Sequence, residues 1–358
     1  MSDHETLGER LRNHGVTRRG FLKFCAATAS LMAVPPALIP RIAEALEQAR
    51  RPSVIWLSFQ ECTGCTESLT RSHDPTVEGL IFDYVSLDYH ETLLAASGHG
   101  AEAALHDAME QNKGQYLLLV DGSIPLGLEG AYSVIGGQSN LATFKRLAEH
   151  AAAVVAIGTC SAFGGLPMAR PNPTGAVSVQ DVINATPALR GKPVINVPGC
   201  PPIPTVITGV LAYYLTFGIP ELDLHNRPKI FFGETIHDRC YRRPFYEAGK
   251  FAKTFDDAGA REGWCLFNLG CKGPVTYNAC ATLKWNEGTS FPIQSGHGCL
   301  GCSEPAFWDK GSFYTSLSQG TERPSLAGAA AAGAVVGAAV AWHARGVQEA
   351  ARQPVPPA

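Results

Sequence analysis

The chain has 358 residues, which at roughly 150 residues per domain suggests about two domains and a full-sized core. Apolar residues make up an ordinary 45%, but charged residues only 17% against a usual value of about 25%, so part of the surface is expected to lie under a permanent partner. The formal net charge of -3, with no run of Lys or Arg, argues against nucleic acid as a main ligand. The ordinary apolar share excludes low-complexity disorder for most of the chain.

In chain order, Thr17-Arg18-Arg19-Gly20-Phe21-Leu22-Lys23 precedes a weakly apolar stretch from Phe24 to Ile39. Ala43-Glu44-Ala45 then offers small residues at a cleavage spacing. This is the layout of a twin-arginine export signal over residues 1–45, cut near the Ala45/Leu46 bond, and it would discard Cys25. An amphipathic N-terminal helix is the alternative, and Pro35, Pro36 and Pro40 speak against it. Export by this route carries folded proteins, usually because a cofactor is inserted in the cytoplasm.

From Ser53 onward, strand-like and helix-like segments alternate. Residues 54–59, 81–87, 116–120, 153–157 and 194–197 read as strands, and residues 101–111, 141–150 and 205–217 as helices. The pattern predicts an α/β fold, a flavodoxin-like parallel sheet over residues 46–227 covered on both faces. Ligands of such sheets gather beyond the carboxyl ends of the strands. Cys62 and Cys65 follow the first strand, Cys160 the fourth and Cys200 the fifth, so three loops deliver four thiols to one edge.

From Pro228 to residue 320 the segments are short and irregular, with six cysteines and too little apolar periodicity to build a core unaided. Leu326 to Trp342 is an uncharged Ala/Gly/Val run between Arg323 and Arg345. As a helix, the residues between those arginines would span about 31 Å, close to the ~30 Å hydrocarbon layer. With the GxxxG spacing Gly333–Gly337 it reads as a transmembrane anchor over 321–345, followed by a tail at 346–358; a disordered Ala/Gly tail is the alternative.

The ten cysteines left after cleavage would form five disulfides in an ordinary exported protein. Two features oppose this: the CxxC spacings Cys62–Cys65 and Cys299–Cys302, and an export signal that implies assembly in a reducing compartment. The candidate ligands divide into Cys62, Cys65, Cys160 and Cys200; the mixed set His237, Cys240, Cys265 and Cys271; and Cys280, Cys299 and Cys302. A three-thiol set leaves zinc open with no evident catalytic base nearby, whereas an iron–sulfur cluster tolerates the deficit by omitting one iron. Gly122-Ser123-Ile124-Pro125 and Gly136-Gly137 form neither GxGxxG nor a P-loop, so nucleotide binding is not expected.

Glu61-Cys62-Thr63-Gly64-Cys65-Thr66-Glu67-Ser68, Gly158-Thr159-Cys160, Val197-Pro198-Gly199-Cys200-Pro201-Pro202, His237-Asp238-Arg239-Cys240 and Gly298-Cys299-Leu300-Gly301-Cys302-Ser303-Glu304-Pro305 resemble the small subunit of periplasm-facing, membrane-bound nickel–iron uptake hydrogenases. The resemblance covers about residues 15–315. It implies a proximal 4Fe–4S cluster on Cys62, Cys65, Cys160 and Cys200, and a distal one on His237, Cys240, Cys265 and Cys271. Between them it implies a medial 3Fe–4S cluster on Cys280, Cys299 and Cys302, with Pro292 at the position where related chains can present a fourth cysteine. The nickel–iron centre would lie on a large subunit, so no catalytic residue is expected in this chain. Electrons from hydrogen oxidation would pass to a membrane cytochrome b and quinone on the periplasmic side of the inner membrane.

Gly64 and Gly165 stand where oxygen-resistant members carry two further cysteines, which implies an oxygen-inactivated enzyme. Glu67 reads either as a proton-path acid near the proximal cluster or as an acid placed by the helix dipole in a first turn. Arg242, Arg243 and Lys272 read as docking charges or, preferably, as solvated surface charge. Phe245, Trp264 and Trp285 read as packing around the clusters. The alternative function is a stand-alone exported iron–sulfur carrier; a zinc- or disulfide-stabilised binding protein is a further rival.

Overall fold

The computed structural model describes residues 51–318, apart from Asp74, and isolated positions before residue 51. Five strands form one sheet: β1 (Ser53–Ser58), β2 (Ser86–His90), β3 (Leu117–Asp121), β4 (Ala153–Ile157) and β5 (Val194–Val197). Their spatial order is β2-β1-β3-β4-β5, and every pairing is parallel. This is the flavodoxin-like order, in which the chain reverses direction of growth between β1 and β3 and leaves a crevice at their carboxyl ends.

The sheet is covered on both faces because its strands are apolar on both. Val54, Trp56, Leu117, Leu119, Val155, Ile157 and Ile195 point into one core, while Ile55, Leu57, Leu118, Val120, Val154 and Ala156 point into the other. Alternate residues of a strand face opposite sides, so a continuous apolar run is what a two-sided burial requires. The second core is closed by α2 (His99–Gln111), α3 (Asn140–His150) and α5 (Val179–Ala185). The Ser139 side chain accepts from Ala142 N at the start of α3, and Ser178 forms a capping box with Asp181 at the start of α5.

The first core is closed by α1 (Gly64–Thr70) and α6 (Pro204–Phe217), and it continues without interruption into residues 231–299. Phe231, Phe232, Ile236, Leu266, Phe291 and Ile293 belong to the same buried cluster as the strand residues. The cysteine-rich part is built of short helical turns, among them Lys229–Phe232, His237–Arg239 and Ala279–Ala281. It relies on the sheet's helical layer for its core, which accounts for its weak apolar periodicity.

One expected strand is misplaced. Residues 81–87 are not extended throughout: Leu80–Tyr84 is a helical turn and the strand is Ser86–His90. Arg51 explains the turn's end, since its guanidinium donates to the carbonyls of Ile81 and Val85. The strand itself lies at a sheet edge, where Ser86 and Asp88 are tolerated, and so it lacks the apolar run of its neighbours.

The export segment, with Cys25, falls almost wholly outside the described residues, and the apolar run 326–342 does so entirely. Among the described residues no helix is long and apolar enough to cross a membrane.

Candidate metal centre

The four thiols expected at the sheet edge do meet there. Cys62 and Cys65 bracket the turn from β1 into α1, in which Thr63 takes a left-handed conformation at φ 63°. Cys160 lies in α4 (Gly158–Phe163), directly after β4, and Cys200 ends the short link from β5. Cys65, Cys160 and Cys200 lie within electrostatic reach of one another, as do Cys62, Cys160 and Cys200.

Small residues leave room for the sulfurs. A Cβ on Gly158 would stand 2.4 Å from Cys65 Sγ, one on Gly165 2.4 Å from Cys160 Sγ, and one on Gly64 3.1 Å from Cys62 Sγ. The first two also have positive φ, at +86° and +59°, so any side chain would be both strained and in collision.

Burial pushes the Cys65 thiol well up, the Cys160 thiol up to about 12 and the Cys200 thiol up to about 11, and neighbouring thiols and Asp121 add to the effect. Such thiols stay protonated unless a cation compensates them, so the donor set is suited to a metal group whose own charge holds the thiolates. All ten cysteines among the described residues are free. No three His, Cys, Asp or Glu side chains among the described residues converge on a single-ion site. The second and third sets each line a pocket, in which the ligands of a polynuclear cluster would each take their own iron.

The second set, His237, Cys240, Cys265 and Cys271, lines one pocket together with Arg242 and Phe267. The His237 ring packs edge-on to Tyr246 at 4.7 Å. The third set, Cys280, Cys299 and Cys302, lines a cavity of about 170 Å³ whose wall includes Pro292 and Cys200. Here burial pushes the Cys280 and Cys299 thiols far up, and Trp285 hydrogen-bonds to Cys280.

The three sets adjoin in one order. The Cys200 backbone hydrogen-bonds to the Cys302 thiol, and Thr159 Oγ1 donates to Cys302 O at 2.5 Å while accepting from Gly199 N at 2.9 Å. On the other side Cys299 N donates to Cys271 Sγ at 3.3 Å, and Lys272 N donates to Cys299 O at 2.7 Å. The first set thus touches the third, and the third touches the second.

The smaller expectations divide. Glu67 is exposed and paired with Arg71 at 2.6 Å, in the first turn of α1. Arg243 is surface charge, paired with Glu247 at 2.9 Å. Arg242 is neither docking charge nor solvated charge: it is 6% exposed, donates to Trp264 O at 2.7 Å and to the Tyr241 hydroxyl at 2.8 Å, and acts electrostatically on Cys240, Cys265 and Cys271. Lys272 is partly buried and its ammonium donates to Thr315 O. Phe245, Trp264 and Trp285 are each partly buried, as packing residues should be.

Sequence reading missed Asp121 and Thr159. Asp121, at the carboxyl end of β3, is 1% exposed beside Cys65, and burial with help from Glu61 raises its carboxyl to about 7. Its position in the crevice of the strand order was the available signal.

Residues 232–315 match the family model for the C-terminal part of NiFe/NiFeSe hydrogenase small subunits, and residues 62–214 match the model described as NADH ubiquinone oxidoreductase, 20 Kd subunit. The uptake hydrogenase small subunit of Azotobacter vinelandii is 51% identical over 350 residues, 96% of each chain. The chain belongs to the nickel–iron hydrogenase small subunits.

The hydrogenase-1 small chain of Escherichia coli K12 is 45% identical over 349 residues, 96% of this small subunit and 92% of that one. Among solved structures, the [NiFeSe]-hydrogenase of Dm. baculatum matches at TM-score 0.70 and 37% identity, covering 75% of this chain and all of that one. The actinobacterial-type NiFe-hydrogenase of Ralstonia eutropha H16 matches at TM-score 0.67 and 27% identity, covering 86% and 92%. The small subunit is accordingly the electron-transfer partner of a nickel–iron large subunit, part of a hydrogenase, in a family that carries iron–sulfur clusters. The stand-alone carrier and the zinc-stabilised binding protein lose their support.

Thr159→Val leaves Gly199 N and Cys302 O without their side-chain partner, at about 1–3 kcal/mol for each buried group stranded. The purified complex is expected to melt earlier and to lose iron faster under chelation than wild type, with Thr159→Ser restoring both. Identical melting and iron retention in the Val variant would remove Thr159 from the account.

Proposed function

We propose that this small subunit carries electrons from hydrogen oxidation in the large subunit through three iron–sulfur clusters to a membrane cytochrome b and quinone. The assignment is a proximal 4Fe–4S cluster on Cys62, Cys65, Cys160 and Cys200, a medial 3Fe–4S cluster on Cys280, Cys299 and Cys302, and a distal 4Fe–4S cluster on His237, Cys240, Cys265 and Cys271. The observation that carries it is the contact order of the thiol sets, Cys200 against Cys302 and Cys299 against Cys271. When bound, the clusters supply reversible one-electron chemistry without a change of ligands.

The chain's own residues hold, space and insulate these centres. Backbone N–H groups of Cys200, Gly301 and Cys299 point at the sulfurs of Cys302, Cys299 and Cys271, and such hydrogen bonds stabilise the more negative, reduced state. Pro292 in the wall of the third cavity offers no ligand, in keeping with a three-iron centre there. Exposed Leu126, Leu128, Tyr132, Val134 and Leu166, the last six residues after Cys160, offer the large subunit apolar contacts. Such contacts accord with the low share of charged residues.

The wider reading rests on the sequence ends. Residues 1–45 are the twin-arginine signal read by the export machinery, 46–227 the flavodoxin-like domain, 228–320 the domain of the medial and distal clusters, 321–345 the anchor and 346–358 a tail. The protein then works on the periplasmic side of the inner membrane. Glu67 is retained as an acid for proton passage near the proximal cluster once the large subunit covers its surface.

Complete loading corresponds to about eleven irons with matching acid-labile sulfide. Electron paramagnetic resonance of the oxidised complex is expected to show a three-iron signal that Pro292→Cys abolishes by completing a cube. A colourless preparation, or a signal unchanged in that variant, contradicts the assignment. Gly64 and Gly165 leave the proximal set with four thiols, so air is expected to stop the hydrogen-oxidation current; a current sustained in air would contradict this.

A further inference from the structure

Arg227 is a fully enclosed guanidinium, 3% exposed, in a part of the chain that holds no cysteine. Its Nε donates to Asp223 Oδ2 at 2.8 Å, and its Nη1 to Glu304 Oε1 at 2.8 Å and to Ser303 O at 3.3 Å. The guanidinium lies 5.3 Å from the Tyr277 ring centre and 5.9 Å from that of Phe232. Glu304 Oε1 also accepts from Tyr277 N at 2.7 Å, and Ser303 Oγ donates to Tyr277 O at 2.9 Å. Ser303 and Glu304 directly follow Cys302.

The other end of this network is tied to the sheet. Asn196 of β5 donates to Asn226 O from its backbone and to His225 O from its side chain, both at 2.8 Å. Asp223 Oδ1 accepts from His225 N and Arg227 N, at 2.8 and 2.9 Å. The strand that delivers Cys200 therefore also anchors the arginine that grips the residues after Cys302. Buried ions of this kind are tolerated only when fully paired, and a planar fork between two carboxylates and two ring faces is a task that Lys cannot repeat.

We propose that Arg227 is the positioning residue of the three-thiol set, fixing the Cys299–Cys302 turn against the Cys200 loop through Ser303 and Glu304. The proposal rests on the assignment of a three-iron centre to Cys280, Cys299 and Cys302. Glu304 is also within electrostatic reach of Cys302, so its carboxylate opposes addition of an electron to a group held there.

The test uses the intact heterodimer with Arg227→Lys, Glu304→Gln and, as control, Arg170→Lys. Arg170 is 79% exposed on its side chain and pairs with Asp309 at 3.4 Å, outside the network. The readouts are the three-iron paramagnetic signal per complex and its midpoint potential. Residues that orient metal ligands typically contribute about 10- to 100-fold to metal affinity, so Arg227→Lys is expected to lose most of that signal while the four-iron signals persist. Glu304→Gln is expected to move the midpoint upward, and Arg170→Lys to change neither.

A wild-type signal and midpoint in Arg227→Lys overturns the proposal alone. Absence of the signal from the unaltered complex overturns the three-iron assignment, and this proposal with it. Failure of both Arg227→Lys and Glu304→Gln to give a heterodimer makes the network a general folding element and likewise overturns the positioning role.

Discussion

The whole arrangement depends on the close approach of backbone to sulfur between loops that are far apart in the chain. Cys299 N reaches Cys271 Sγ at 3.3 Å, and this is achieved only because residue 298 is glycine: a Cβ there would stand 2.9 Å from Cys271 Cα and 3.0 Å from its Cβ. The same economy of volume recurs at the sheet edge, where Gly158 and Gly165 yield to Cys65 and Cys160. Electron transfer weakens steeply with separation, so a relay built of buried sulfur sites has to keep the intervening atoms few. Glycine and backbone hydrogen bonds do this without adding side chains that water would follow.

The fold serves that constraint in two ways. The parallel sheet collects three loops at one edge, since all five strands point their carboxyl ends the same way. The second part of the chain then lies on the same buried cluster as the sheet, from Phe231 to Cys299, so the three thiol sets share one rigid support. Arg227 and Thr159 tie the two parts where the first thiol set adjoins the third, the crossing point of the proposed relay. Neither residue carries redox chemistry; each fixes the backbone at or beside Cys302.

Much of this was legible in the residues. Uninterrupted runs such as Leu117–Val120 announce strands buried on both faces, and the cysteines after β1, β4 and β5 announce the sheet edge. The edge strand Ser86–His90 was obscured because a strand with one neighbour carries polar residues, and because Arg51 holds a helical turn against its start. The contact of Cys271 with Cys299 was invisible, since it joins segments 28 residues apart through an amide and not through a side-chain pattern. Arg242 was misread for a related reason: Arg usually faces water, and only the fold reveals that Trp264 O and Tyr241 enclose it.

Gly298→Ala inserts one methyl group against the Cα and Cβ of Cys271, prising apart the loops that carry Cys271 and Cys299 while leaving every cysteine in place in the sequence. After rapid mixing with hydrogen and freeze-quenching, the account predicts that the proximal and medial centres fill on the wild-type timescale while the distal centre lags. A distal centre that fills as fast as in wild type, in a complex with its full iron complement, would contradict the claim that electrons cross at the Cys271–Cys299 contact.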